Sequence, residues 1–413
     1  MRYQFPVINH LDDVRPAIEG RDEFIIAERE WGFAVNYMVA MSDTFPPVGA
    51  AWDHAPVDDN LYMDLGEGRR QSLYAAIRRE CRGLLFYPDG KLMSRRLHKF
   101  FNVNERDETQ QQHLDLTQSH VILEKLDGSM ITPVYTKDGI RWGTKMGLTD
   151  VSKQVDEFVA KNQKYEDFAR ECLNEDVTPI FEWCSRKQRI VIDYPEDRLV
   201  LIAMRENSSG VYLPYRVLKF NSGYFHIPVV ETLDGNARNM EHLIEHTRDL
   251  QGAEGYVLRF DDGHMVKIKA EEYIRFHKTK DGLSQEKNVV DMLINETIDD
   301  TKAFMMDEDR QRIEQFEYDF WAGFNQEVAR LSLALNQAIA DTTGDRKRFA
   351  LEIATNMDPI SKQVMFSCWD GGRNVRAELI SVIKKNVGTQ TKIDGVRHLW
   401  GGAKWNYHFD GDA

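Results

Sequence analysis

The chain has 413 residues, 42% hydrophobic and 29% charged, with a net charge of -14. This composition is that of a folded globular protein, and the length exceeds what one ordinary core organises, so two domains are expected. The acidic balance argues against a protein that coats nucleic acid but leaves room for local basic patches. No run of eighteen apolar residues occurs, and the start Met1-Arg2-Tyr3-Gln4-Phe5-Pro6 lacks the apolar core of a secretory signal, so a cytoplasmic chain with no membrane partner is expected.

In chain order, strands are predicted at Phe24 to Ala27, Phe33 to Val39 and Gly83 to Tyr87, where apolar and β-branched residues alternate or run together. Between them, Phe45 to Leu65 carries prolines at 46, 47 and 56 and reads as a long irregular loop. Arg82, in Glu80-Cys81-Arg82-Gly83, and Lys99, in His98-Lys99-Phe100-Phe101-Asn102, place cations beside strand-like runs. Each is suited to a phosphate or to an acidic partner.

The next strand, Val121 to Lys125, ends in Glu124-Lys125-Leu126-Asp127-Gly128-Ser129. Gly128 permits a turn, and a period of two would put Lys125 and Asp127 on one face. A lone Lys-x-Asp-Gly is a weak signal that a surface hairpin also satisfies; the later segments add weight. Asp150 is placed to cap a helix with Val151, Val155, Phe158 and Val159 on one face. Strands follow at Pro179 to Trp183, Leu199 to Met204, Gly255 to Phe260 and Met265 to Lys269.

Glu182 is a carboxylate inside an apolar strand, where an unpaired charge is costly, so it needs a partner such as a ribose hydroxyl or a metal-bound water. Glu254 opens another apolar strand and is suited to magnesium. Strand alternation puts Lys267 and Lys269 on one face and Ile268 on the other. That pair can hold a triphosphate, though Lys-x-Lys on an edge strand is also a common solubility device. Nearby positive charge or a metal ion would lower the pKa of a lysine nucleophile from its ordinary value near 10.4.

Beyond Lys280 the apolar spacing turns helical, as in Val289, Val290, Leu293 and Ile294 and again in Ile313, Phe316, Phe320, Trp321 and Phe324. The reading is an α+β domain over 1–281 with mainly antiparallel sheets, then a mostly α-helical domain over 282–413. From Arg346 to Lys404 there are eleven Lys/Arg against five Asp/Glu, suited to RNA or to a solvated helix face. Cys81, Cys172, Cys184 and Cys368 form no Cys-x-x-Cys pair and read as reduced thiols.

The order Glu-Cys-Arg-Gly, Lys-Phe-Phe-Asn-Val-Asn-Glu, Glu-Lys-Leu-Asp-Gly-Ser, Phe-Glu-Trp, Glu-Gly-Tyr-Val and Lys-Ile-Lys resembles the RNA ligase 1 family of tailed bacteriophages, within the covalent nucleotidyltransferase superfamily. The resemblance runs from about Phe33 to Lys280. It implies an ATP-dependent RNA ligase that joins 5'-phosphate and 3'-hydroxyl RNA ends, in a repair role on cleaved tRNA, in the host cytoplasm if phage-encoded. The cofactors would be ATP and Mg2+, with Mn2+ able to substitute. Lys125 would be the adenylated lysine, with Glu182, Glu254, Lys267 and Lys269 in the catalytic machinery. Arg82, Lys99, Lys145, Asp127 and Gly128 would contact the nucleotide, and Asp299 with Glu254 would serve the metal. The family's nucleotide-contacting tyrosine falls in register on Val35, leaving Tyr37, two residues on, as the candidate. The tail after Lys392 has no counterpart in the family. DNA ligases and capping guanylyltransferases share the lysine motif but continue past Lys-x-Lys into a small β-barrel. A non-catalytic RNA-binding protein is the remaining alternative, and it would show no covalent nucleotide.

Overall fold

The computed structural model describes residues 4–41, 43–48, 67–188, 190–233, 239–302, 305 and 307–406. Most of the loop expected over 45–65, from 49 onward, lies outside the described residues. The chain divides into two compact units between Ile274 and Arg275. That point falls inside the helix Glu271–Leu283, which begins two residues after Lys269 and also contains the expected boundary at Asp281-Gly282.

The first unit holds twelve strands among the described residues: β1 (Phe24–Arg29), β2 (Gly32–Tyr37), β3 (Arg82–Phe86), β4 (Leu92–Ser94), β5 (Phe101–Asn102) and β6 (His120–Glu124) come first. Then follow β7 (Ser129–Thr136), β8 (Gly139–Gly143), β9 (Val177–Cys184), β10 (Arg198–Glu206), β11 (Gly255–Phe260) and β12 (Met265–Lys269). They form three four-stranded sheets in the orders β1-β2-β3-β4, β10-β9-β7-β8 and β5-β12-β11-β6. Every pairing between named strands is antiparallel except the two-residue β5–β12 contact.

Alternation along β9 decides which face is sealed. Phe181 and Trp183 pack under Val155, Val159, Phe168 and Leu218 from the helices Asp150–Ala160, Lys164–Asn174 and Tyr215–Phe225. Ile180 and Glu182 therefore point the other way. In the third sheet Ile122, Leu258, Val266 and Ile268 are buried with Leu243 and Ile244 of the helix Met240–Arg248. Burying Ile268 turns Lys267 and Lys269 to the opposite face, as the alternation predicts. The cap of the helix Asp150–Ala160 differs from the expectation: Thr149 is the N-cap residue and Asp150 the first helical one. Ser152 Oγ accepts a hydrogen bond from the Thr149 backbone N–H at 2.9 Å.

The second unit is helical, and no strand follows Lys269 among the described residues. The helices Glu286–Ile294 and Asp307–Asp341 bury Val289, Val290, Leu293, Ile313, Phe316, Phe320 and Phe324 in one core with Leu379, Val382 and Trp400. Trp321 packs partly buried against it. Residues beyond Lys392 join this core through Ile393, Val396, Leu399 and Trp400. All four cysteines are buried and free. Among the described residues, no helix is long and apolar enough to cross a membrane.

Candidate active site

The three sheets of the first unit line a cleft of about 840 Å³. Tyr37 and Arg82 come from the first sheet, Ser129, Met130 and Glu182 from the second, and Leu123, Val257, Arg259, Lys267 and Lys269 from the strands of the third. Lys125, Gly128, Lys99 and Lys145 reach it from connecting segments.

Lys125 follows the last residue of β6, and its backbone N–H donates to Gly255 O at 2.8 Å, which pins it to β11. Its Nζ lies 2.8 Å from Glu254 Oε1, and Lys269 Nζ lies 2.9 Å from the same oxygen. The Glu254 side chain is only 4% exposed, against 22% for Lys125 and 25% for Lys269. One buried carboxylate thus holds two cleft-facing ammonium groups. Gly128 is needed for close approach, because a Cβ there would stand 2.3 Å from Trp183 O.

Asp127 is not where alternation puts it. The strand ends at Glu124, so a period of two no longer applies, and Asp127 is buried away from the cleft lining. Its Oδ2 accepts from the backbone N–H groups of Val191 and Ile192 at 2.7 Å each, and its Oδ1 accepts from Tyr273 Oη at 2.8 Å. Its own N–H donates to Tyr194 Oη at 3.0 Å. Asp127 therefore anchors the segment after the lysine and does not line the cleft.

Glu182 lines the cleft, and its carboxylate makes no hydrogen bond or ion pair among the described residues. Burial pushes its carboxyl up to about 8, with Lys125 opposing the rise and Glu254 adding to it. Burial also brings Lys267 down to about 7, helped by the positive charges of Lys99, Lys125, Lys269 and Arg82. Lys99 Nζ sits 5.5, 5.6 and 5.3 Å from the ring centroids of Tyr37, Phe45 and Phe101. Lys145 Nζ is 5.7 Å from the Tyr37 ring, and Arg82 lies 5.8 Å from that of Phe100. These rings hold cations without neutralising them, so the charge remains available to phosphate. Val35 is fully buried in β2, whereas Tyr37 faces the cleft beneath two lysines.

Asp299 belongs to the second unit, in the short helix Ile298–Lys302, where its exposed carboxylate pairs with Lys302 at 3.0 Å. Among the described residues no group of three or more His, Cys, Asp or Glu is arranged to hold a metal. The carboxylates that line the cleft are Glu124 and Glu182, and Glu254 lies buried beside Lys125 and Lys269.

Sequence reasoning passed over several buried charges. Arg95, Arg96 and Arg205 have no more than 1% of their surface exposed. Arg95 and Arg205 converge on Glu80 at 3.1 and 2.8 Å. Arg96 donates to Gly83 O, Gly143 O and Thr132 Oγ1 at 2.7, 3.1 and 2.8 Å, and burial draws its guanidinium down to about 9. Arg259 lines the cleft itself. Arginine is normally a surface residue, so composition and spacing carry no sign of these positions.

Residues 80–273 match the family model described as RNA ligase. A protein of Thermovibrio ammonificans named "Putative RNA ligase" is 32% identical over 216 residues, covering 50% of this chain and 55% of that protein. A protein of Autographa californica nuclear polyhedrosis virus named "Putative bifunctional polynucleotide kinase/RNA ligase" is 28% identical over 255 residues, covering 54% of this chain and 34% of that protein. The chain thus spans about half the length of the first relative and about a third of the second. Among solved structures, an archaeal ATP-dependent RNA ligase aligns with a TM-score of 0.42 at 15% identity, over 65% of this chain and 64% of that one. A mutant RNA ligase of Naegleria gruberi with ATP and Mn aligns with a TM-score of 0.32 at 18% identity, over 39% and 52%.

Proposed function

We propose, from the match of residues 80–273 to the RNA ligase family model, that this chain is an ATP-dependent RNA ligase working through a lysyl-AMP intermediate on Lys125. The observation that carries the reading is one cleft-facing amine, held by a buried glutamate and surrounded by Arg82, Lys99, Lys145, Lys267 and Lys269.

Lys125 Nζ attacks the α-phosphorus of ATP; the N–P bond forms as the bond to the β-bridging oxygen breaks, and pyrophosphate leaves. Before attack the amine must lose a proton, and Glu254, 2.8 Å away, is the acceptor within reach. The surrounding cations balance the charge that builds on the phosphate oxygens. An oxygen of an RNA 5'-phosphate then attacks the lysyl-AMP phosphorus and frees Lys125. Finally a 3'-hydroxyl attacks the activated RNA phosphorus, and AMP departs.

Glu254, beside Lys125, would be the carboxylate to hold a hard cation that completes its shell with phosphate oxygens and water. Bound there, Mg2+, or Mn2+ in its place, would supply further charge neutralisation on the phosphates. Glu182, lacking a protein partner, is the carboxyl left for a ribose hydroxyl. After Lys269 the chain turns helical, which favours RNA ends over the β-barrel-bearing DNA ligases and capping enzymes. The natural substrate in this reading is cleaved tRNA, chosen by the helical unit.

The test is incubation with divalent metal and ATP labelled at the α-phosphate, after pyrophosphate pretreatment, followed by denaturing electrophoresis with GTP in parallel. Label from ATP alone is expected. Lys125→Ala should abolish labelling and sealing of 5'-phosphate RNA while still sealing pre-adenylated RNA. Labelling retained in that variant would show another nucleophile, and an unlabelled wild type would favour a binding protein.

A further inference from the structure

The inner end of the cleft carries a charge that phosphate chemistry does not use. The strand register sets out three successive rungs on the cleft face of the third sheet. Gly255 pairs with Lys269 and accepts from Lys125 N–H; Val257 lies between Lys267 and Leu123; Arg259 lies between Met265 and Val121. The cations thus cluster at the first two rungs. Arg259 stands four residues further along β11, roughly 13 Å from Gly255 at the rise of an antiparallel strand.

Arg259 is 4% exposed and lines the cleft, yet among the described residues its guanidinium makes no hydrogen bond, and its Nη1 is fully buried. The apolar side chains around this end of the cleft include Leu97, Met130, Ile202, Val257 and Met265, and although Asp261, Tyr212 and Tyr215 are close enough to act on the guanidinium electrostatically, none of them hydrogen-bonds it. A guanidinium carries five donors, and leaving it buried and unpaired costs free energy. Such a group persists where a ligand supplies the acceptors. The ligand part suited to this end is flat, apolar on its faces and equipped with acceptors in its plane. A phosphate would have to leave six cations for apolar walls, whereas a purine ring matches both the walls and the donor.

We propose that Arg259 is a base-binding residue that donates to a ring nitrogen of the purine. This rests on ATP being the substrate of Lys125. The cationic rungs hold the phosphates, the apolar walls hold the faces of the base, and Arg259 reads its buried edge.

The test uses the full chain and measures KM and maximal rate of self-adenylation with ATP and with 1-deaza-, 3-deaza- and 7-deaza-ATP, each lacking one acceptor. In the wild type one analogue should lose roughly tenfold to a hundredfold in KM, the range of a lost hydrogen bond to a charged group. Arg259→Met should lose the same factor with ATP, keep its maximal rate and show no further loss with that analogue. Arg259→Lys, which keeps a donor, should recover part of the loss and guards against a folding defect in the methionine variant. An Arg259→Met protein with unchanged KM for ATP overturns the proposal. So does one still sensitive to the same analogue, or one that adenylates normally but fails only in RNA sealing. A wild type that no nucleotide labels would sink the ligase reading itself, a result distinct from these.

Discussion

At the scale of single residues, the cleft works by leaving charges partly unsatisfied. Lys267 shows this most directly. Burial and then the neighbouring Lys99, Lys125, Lys269 and Arg82 bring its ammonium down to about 7, so before a polyphosphate binds it is roughly half neutral at pH 7. A polyphosphate favours the charged form, so its binding must draw a proton onto Lys267. The sign follows: between about pH 7.5 and 9, where the phosphates of the nucleotide are already ionised, affinity should fall as pH rises because the proton becomes scarcer. Titration calorimetry with pyrophosphate in two buffers of different ionisation enthalpy should report proton uptake. Lys267→Arg, which cannot deprotonate, should abolish both the uptake and the pH dependence. Equal heats in the two buffers for the wild type would mean that Lys267 is already charged in the free protein. Glu182 is the mirror case, a carboxyl raised to about 8 by burial and left without a protein partner. Lys125 and Asp127 were expected to act side by side, but β6 ends before them, and Asp127 serves the backbone of Val191 and Ile192.

At the scale of elements, the sheets are joined by buried ion pairs that no periodicity reveals. Glu80 ends the helix Glu67–Glu80, Arg205 lies on β10, and Arg95 follows β4. Burial alone would raise the Glu80 carboxyl, but Arg205 and Arg95 outweigh it and hold it at about 2. Glu80→Gln would leave two guanidinium groups in the interior with one neutral acceptor, a loss of about 3–5 kcal/mol. Urea unfolding at pH 7 should show it as a lower midpoint with an unchanged slope. Because the folded pKa is depressed, this contribution is present above the unfolded value near 4.5 and is lost as pH falls through about 2. A variant as stable as wild type would mean that the two arginines find other acceptors. The strands that sequence made legible are those with a continuous or alternating apolar side, such as β9, β10, β11 and β12. Those it missed have other marks. β4 and β5 are only three and two residues long. β7 contains Pro133, which is tolerated because β7 pairs with β9 only from Ser129 to Ile131. Lys125, Glu182, Glu254, Lys267 and Lys269 were legible because each sits in an apolar strand or at its end, whereas Lys145 was named only through the family resemblance. Arg259 was not, because nothing in its spacing separates a buried arginine from a solvated one.

At the scale of the whole molecule, the division of labour proposed here can be tested through the basic stretch of the helical unit. Its arginines are largely committed. Arg346 pairs with Asp370, Arg348 with Glu352, Arg373 with Glu378, and Arg397 with Glu286 and Asp394. Arg376 lies over the rings of Trp321 and Phe324. The lysines differ: Lys347, Lys362, Lys384, Lys385 and Lys392 are exposed, and none forms an ion pair among the described residues, whereas Lys404 acts on Asp394. Five uncommitted ammonium groups in one unit of a chain of net charge -14 are suited to a phosphate backbone, whereas the paired arginines hold the helices together. Reversing Lys384 and Lys385, both near the end of the helix Val375–Asn386, should leave self-adenylation unchanged and weaken sealing of nicked tRNA. If both contact phosphates, the salt dependence of RNA affinity should lose roughly 1.4 to 1.8 units of slope, the worth of two released counterions. Adenylation and salt slope unaffected together would remove the helical unit's lysines from RNA binding and leave substrate choice to the cleft.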